Sequence, residues 1–113
     1  MVLRLAEYVD FKAGVSFHPS HPGLMEIVQD SEEDILKSVK CHQVFMPANG
    51  DHPNTLPDGL GKQILVDALE VIPFMDMKHG WSVRGDLEDP IVRRDVERCF
   101  NLALSTFGKY LLA

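Results

Sequence analysis

The chain has 113 residues and a mass of 12.7 kDa, with 45% hydrophobic and 25% charged residues, which is the size and balance of one globular domain covering residues 1–113. This composition excludes wholesale disorder, a collagen-like repeat and a disulfide-dense scaffold. The formal net charge is −6 and the sequence pI about 5.2, which argues against direct nucleic-acid binding, because phosphate recognition needs a cationic footprint.

Residues 1–14 favour a helix, since Val2, Leu5, Ala6, Val9 and Ala13 form a stripe that Gly14 can end. Leu24-Met25-Glu26-Ile27-Val28 fits either a short helix after Pro22 or a strand. Ser31 with Glu32, Glu33 and Asp34 has the spacing of a capped helix start, and Ile35, Leu36 and Val39 supply its buried face. His42 to Met46 either extends that helix or forms a strand. Residues 46–59 contain three prolines, two glycines and an Asn-Gly pair and read as an irregular loop. Leu60, Ile64, Leu65, Ala68, Leu69 and Ile72 give an amphipathic helix stopped by Pro73. A second irregular stretch, residues 78–89, leads to a long helix capped by Asp89, with Pro90 in its first turn and Val92, Val96, Cys99, Phe100, Ala103 and Phe107 on one face.

The fold expected from these elements is mainly α, a compact helical domain with two long amphipathic helices in its second half packed on each other. The alternative is α+β, with strands near Val15–Phe17, Leu24–Val28 and Gln43–Met46 forming a small sheet.

Two cysteines, Cys41 and Cys99, make no disulfide framework. The first residues lack the basic start and apolar run of a signal peptide, and no stretch approaches the roughly 18 apolar residues of a membrane span. The expected setting is the cytoplasm, with reduced thiols and no membrane partner.

Histidine is the chemistry to weigh first. His18 and His21, with Cys41 and His42, are the metal-ligand candidates, because zinc takes nitrogen and sulfur ligands in a tetrahedron. The two prolines extend the first pair's backbone, adjacent Cys41 and His42 point apart, and the spacing fits no familiar zinc module. Cys41 near His42 or His79 is the thiol–imidazole pair to consider, whereas Cys99 belongs to an apolar helix face and reads as core. Gly59-Leu60-Gly61-Lys62 departs from the Walker pattern twice, with Leu56 where a glycine is required and Gln63 where Ser or Thr is. No cofactor is therefore expected, and the residues assign no catalytic group.

The leading functional expectation is a non-enzymatic, inhibitor- or immunity-like module that occludes a basic protein partner, since acidic surfaces steer towards basic ones. Glu32, Glu33, Asp34, Asp51, Asp86 and Glu88 are its candidate contacts and Trp81 its candidate anchor. The alternatives are a histidine-based metal-binding protein or small hydrolase using His18, His21, Cys41, His42 or His52 beneath a proline-rich lid, and a homo-oligomeric component built on the last helix.

Overall fold

The computed structural model describes residues 2–112. Its elements in chain order are α1 (Val2–Tyr8), β1 (Ala13–Phe17), α2 (His21–Ile27), α3 (Glu32–Ser38), β2 (His42–Met46), β3 (Ala48–Asn49), α4 (Leu60–Leu65), β4 (Leu69–Val71), β5 (Phe74–Lys78), α5 (Trp81–Arg84) and α6 (Pro90–Leu111). Single 3-10 turns at Pro53–Thr55 and Val66–Ala68 flank α4.

All strand pairs are parallel. β2 lies between β1 and β4, with Ala13 opposite His42, Phe17 opposite Met46, Gln43 opposite Leu69 and Phe45 opposite Val71. β3 pairs with β5, with Ala48 opposite Phe74. Pro47 separates β2 from β3 and Pro73 follows β4, since neither can donate to a ladder. The pairing nevertheless continues past both prolines, because the Ile72 N–H donates to Phe45 O and the Phe74 N–H to Pro47 O, each at 2.8 Å. The two short ladders thus form one path, and the carboxyl ends of all its strands lie along one edge.

Helices cover both faces. Leu3 and Ala6 of α1, Ile35 and Leu36 of α3, and Leu65 of α4 pack on Phe45 and Leu69. On the opposite face Val92, Val96 and Cys99 of α6 pack with Val44, Met46, Phe74, Met77 and Trp81. Val44, Phe45 and Met46 are each 0% exposed, so β2 is buried on both sides, which is why it reads as a continuous apolar run with no alternation.

The mainly-α expectation is overturned, because the protein is a mixed α/β structure with a parallel sheet. Only one of the two expected long helices exists, α6, whose Asp89 carboxylate accepts the Ile91 N–H at 2.8 Å. The other shortens to α4. There the backbone breaks at Val66, with φ 47°, and the Lys62 ammonium takes the carbonyls of Val66 and Leu69 at 2.7 and 2.6 Å. Leu69 and Ile72 belong to a helical spacing, but Leu69 and Val71 also alternate, and pairing with β2 buries them better than another helical turn would.

The α+β alternative placed strands at Val15–Phe17 and Gln43–Met46, where β1 and β2 stand, but residues 24–27 are helical. The N-terminal helix ends at Tyr8, and Gly14 lies inside β1 beneath the Gln43 amide, where a Cβ would come within 2.4 Å of Gln43 Oε1. α3 begins as expected, with Ser31 Oγ accepting the Asp34 N–H at 3.2 Å.

The sheet's dependence on Phe45 is measurable by urea unfolding. Phe45→Ala costs about 3–5 kcal/mol, because the cavity opens between sheet and helices, whereas Leu104→Ala on exposed α6 surface stays within about 0.5 kcal/mol of the parent.

Candidate functional site

The carboxyl edge of a parallel sheet is where α/β proteins place their sites, because loops leave the sheet there and open a crevice. Here β1 leads into His18, β3 leads into Asp51, and β5 leads into His79.

Asp51 is fixed by a tight turn. Gly50, at φ 85°, reverses the chain, so that the Asp51 N–H reaches Ala48 O at 3.2 Å while Asp51 Oδ2 accepts the Ala48 N–H at 2.7 Å. Its other oxygen, Oδ1, lies 2.7 Å from His79 Nδ1. The Asp51 side chain is 3% exposed and that of His79 46%, so a buried acid holds an accessible imidazole. A carboxylate oxygen only accepts, so the neutral ring donates its Nδ1–H to Asp51, which leaves Nε2 unprotonated and able to act as a base.

His18 completes the cluster from the other side. Its backbone is left-handed, φ 37°, a conformation L-residues adopt at a cost, and its N–H donates to Met46 O at 2.9 Å. The ring stands edge-on to His79, centroids 4.7 Å apart, and its Nε2 lies 2.9 Å from Ser82 Oγ. Burial, and then the neighbouring His79, hold the His18 imidazole below the ordinary histidine range. Ser82 is 7% exposed on α5. Gly80, at φ 88°, makes the turn between His79 and that helix. The stacking of Trp81 on Phe74, centroids 4.7 Å apart, pins α5 to the core. His18 and His79 share the wall of an open cleft of about 360 Å³, which Val15, Phe17 and Leu24 line with apolar surface and Ser16 and Ser20 with hydroxyls.

The metal-ligand candidates separate into two groups. His18 and His21 flank the cleft, while Cys41 and His42 sit at the amino end of β2, a strand length of about 16 Å away at the usual rise per residue. Cys41 Sγ accepts from the Gln43 amide at 3.0 Å, and His42 stacks on Tyr110. Among the described residues no three His, Cys, Asp or Glu side chains converge as a metal set. His52 caps the turn after it, its Nδ1 accepting the Asn54 N–H at 3.1 Å. Cys99 is fully buried, and desolvation pushes its thiol up to about 11.

The candidate partner contacts are also dispersed. Glu33 and Asp34 are exposed on the first turn of α3, with Glu33 paired to Lys37, while Asp86 and Glu88 are exposed on the loop before α6. Glu32 is turned inward against His21 and Asn54, Asp51 serves His79, and Trp81 is 4% exposed within the core. Reading the sequence for charged surface passes over the Asp51–His79 pair and Ser82. The available signal is Asn49-Gly50-Asp51 and His79-Gly80, each an ionisable side chain beside a glycine at the end of an apolar strand run.

Comparison with protein families, curated proteins and solved structures finds no match to the chain.

Two outcomes follow from this geometry. Gly80→Ala forces a Cβ onto a left-handed backbone and within 2.3 Å of the Arg84 guanidinium, and lowers stability by about 1 kcal/mol or more in urea melts. The second concerns pH. The rings of His18 and His21 are held below the ordinary histidine value in the folded state by burial, so the unfolded chain binds more protons. Stability therefore rises with pH across the histidine window and is lost as pH falls through about 6.5. The double variant H18Q/H21Q flattens that slope in unfolding measured from pH 8 to pH 5.

Proposed function

We propose that the protein carries the acid–histidine pair of a hydrolase acting on esters or similarly activated carbonyl compounds. The observation that carries this reading is the Asp51–His79 contact, a buried carboxylate 2.7 Å from Nδ1 of a half-exposed imidazole. It supplies what general-base catalysis needs: a fixed tautomer, a held ring and a place in the wall of a cleft.

Topology supports the same reading by analogy. The acid follows one parallel strand and the histidine follows its neighbour, which is the chain order in which α/β-hydrolases complete a nucleophile–acid–histidine triad. The nucleophile of that arrangement stands on a strand-to-helix elbow. Among the described residues Ser16 lies within β1, Ser82 is bonded to His18, and Ser20, which stands between β1 and α2, has no hydrogen bond to His79. His79 acting with this chain's own residues therefore takes its proton from water. The water oxygen bonds to the carbonyl carbon as Nε2 accepts the proton, and the carbonyl π pair moves to oxygen. Collapse of that adduct breaks the bond to the leaving alkoxide, which receives the proton from Nε2. Asp51 stabilises the imidazolium between the two transfers.

The cleft suits an uncharged substrate, since among the described residues no lysine or arginine lines it. An acidic protein-binding surface draws less support, because three of its seven proposed contacts, Glu32, Asp51 and Trp81, point inward.

Hydrolysis of p-nitrophenyl acetate tests the reading. His79→Gln and Asp51→Asn each lower the protein-catalysed rate by about 10²-fold or more, while Ser82→Ala stays within about threefold of the parent. Unchanged turnover in the folded His79→Gln variant would overturn it.

A further inference from the structure

We infer that His18 is a positioning residue for His79: it clamps the turn that carries the base from the β1 side, as Asp51 holds it from the β3 side. Its effect on turnover rests on the hydrolase reading, whereas the restraint on the His79 ring belongs to the fold alone.

His18 stands in a backbone state that nothing local explains. A non-glycine residue at φ 37° is uncommon, and Pro19 further biases the residue before it towards extended shapes. Gln29 and Val66 also have positive φ, but both sit where a helix ends, a usual place for a left-handed residue. His18 follows a strand. Strain of this kind persists where the surroundings over-determine it, and it gathers at functional sites. The surroundings here are the bond from the His18 N–H to Met46 O at 2.9 Å and the contacts of the ring.

Those contacts fall on both ends of one turn. The ring stands edge-on to His79 with centroids 4.7 Å apart, and its Nε2 meets Ser82 Oγ at 2.9 Å. His79 and Ser82 are joined through left-handed Gly80 and through Trp81, whose indole stacks on Phe74. Ser82 is buried, and His18 is the one hydrogen-bond partner of its hydroxyl among the described residues, so the hydroxyl proton is directed to Nε2. That bond occupies the nitrogen and leaves His79 as the base.

His79 needs a second restraint. Its side chain is 46% exposed, and the Asp51 contact at Nδ1 is the one hydrogen bond of that side chain among the described residues. A ring tethered at one atom still swings about the tether and carries Nε2 with it. The His18 ring blocks that swing on one side. Placement matters here because an error of about 1 Å in a reacting group can cost about 10²-fold in rate. Burial also keeps His18 uncharged, so it adds no repulsion when His79 takes up a proton.

The test reads the ring and the rate separately. Asparagine tolerates a left-handed backbone, so His18→Asn removes the ring without adding strain. His18→Phe keeps a flat ring against His79 and gives up only the bond to Ser82. In 13C relaxation of the whole chain, the order parameter of the His79 ring is about 0.85 in the parent and in His18→Phe, and falls below about 0.6 in His18→Asn. In p-nitrophenyl acetate hydrolysis, His18→Asn lowers kcat about tenfold at unchanged KM, His18→Phe stays within about threefold of the parent, and neither changes the residual rate in a His79→Gln background. Should His18→Asn not fold, His18→Gly, free of the left-handed penalty, carries the same test. A His79 ring as ordered in the folded His18→Asn variant as in the parent overturns the inference, and so does an equal loss of rate with and without His79. A parent that leaves the ester intact while its His79 ring loosens in His18→Asn overturns the hydrolase reading and upholds the clamp.

Discussion

The structure depends on β2 being buried on both faces. A strand in that position satisfies its backbone only through neighbours on each side, and here both neighbours run parallel to it. Parallel pairing has a geometric consequence, since each connection must return the chain to the same starting edge. Every strand therefore delivers its carboxyl end to one place. His18, Asp51 and His79 are far apart in sequence and meet because β1, β3 and β5 all end at that edge. The two prolines that interrupt the strands do not spoil this, because the Phe45 and Pro47 carbonyls go on accepting from Ile72 and Phe74 across the breaks.

Above that edge, burial separates roles that residue type alone leaves alike. Asp51 is an acid withdrawn from water and fully engaged by a backbone N–H and an imidazole, so its charge is spent on orientation. His79 keeps nearly half its side chain in solvent and has a nitrogen to spare. His18 is more enclosed, held neutral by burial, and tied to a hydroxyl beneath it. Its left-handed backbone is paid for by the sheet, through the bond from its N–H to Met46 O.

Local signals in the sequence announced what local chemistry controls. Ser31 and Asp89 begin helices because a side-chain oxygen satisfies a nearby N–H, and the apolar stripe of α6 faces the sheet because helical periodicity alone aligns it. The sheet was harder to see. The spacing of Leu65, Ala68, Leu69 and Ile72 fits a helix, and only the presence of β2 alongside makes extension the better burial for residues 69–71. The site shared that difficulty. Asp51 and Glu32 read as surface charge because nothing near them in the chain reveals the histidines they meet, 28 and 11 residues away. The glycines at 50 and 80 were the local trace of the site, since both hold φ values that other residues resist.

The two histidine–carboxylate pairs show why proximity does not decide function. Asp51–His79 and Glu32–His21 have nearly equal separations, 2.7 and 3.0 Å. In the first the atoms are aligned, the acid is buried and the ring faces solvent, so the pair is complete and its free nitrogen is available for proton transfer. In the second both side chains are enclosed, and burial holds His21 below the ordinary histidine range despite the attraction of Glu32. Such a pair is a poor proton shuttle, because charging the ring costs desolvation that its neighbour does not repay. The histidines of both pairs line the cleft beside Leu3 and Leu24, and His21 and Glu32 also line a second pocket next to it. Enclosure, set by the helices packed over the sheet, leaves the same two residue types with an accessible ring in one pair and a buried ring in the other.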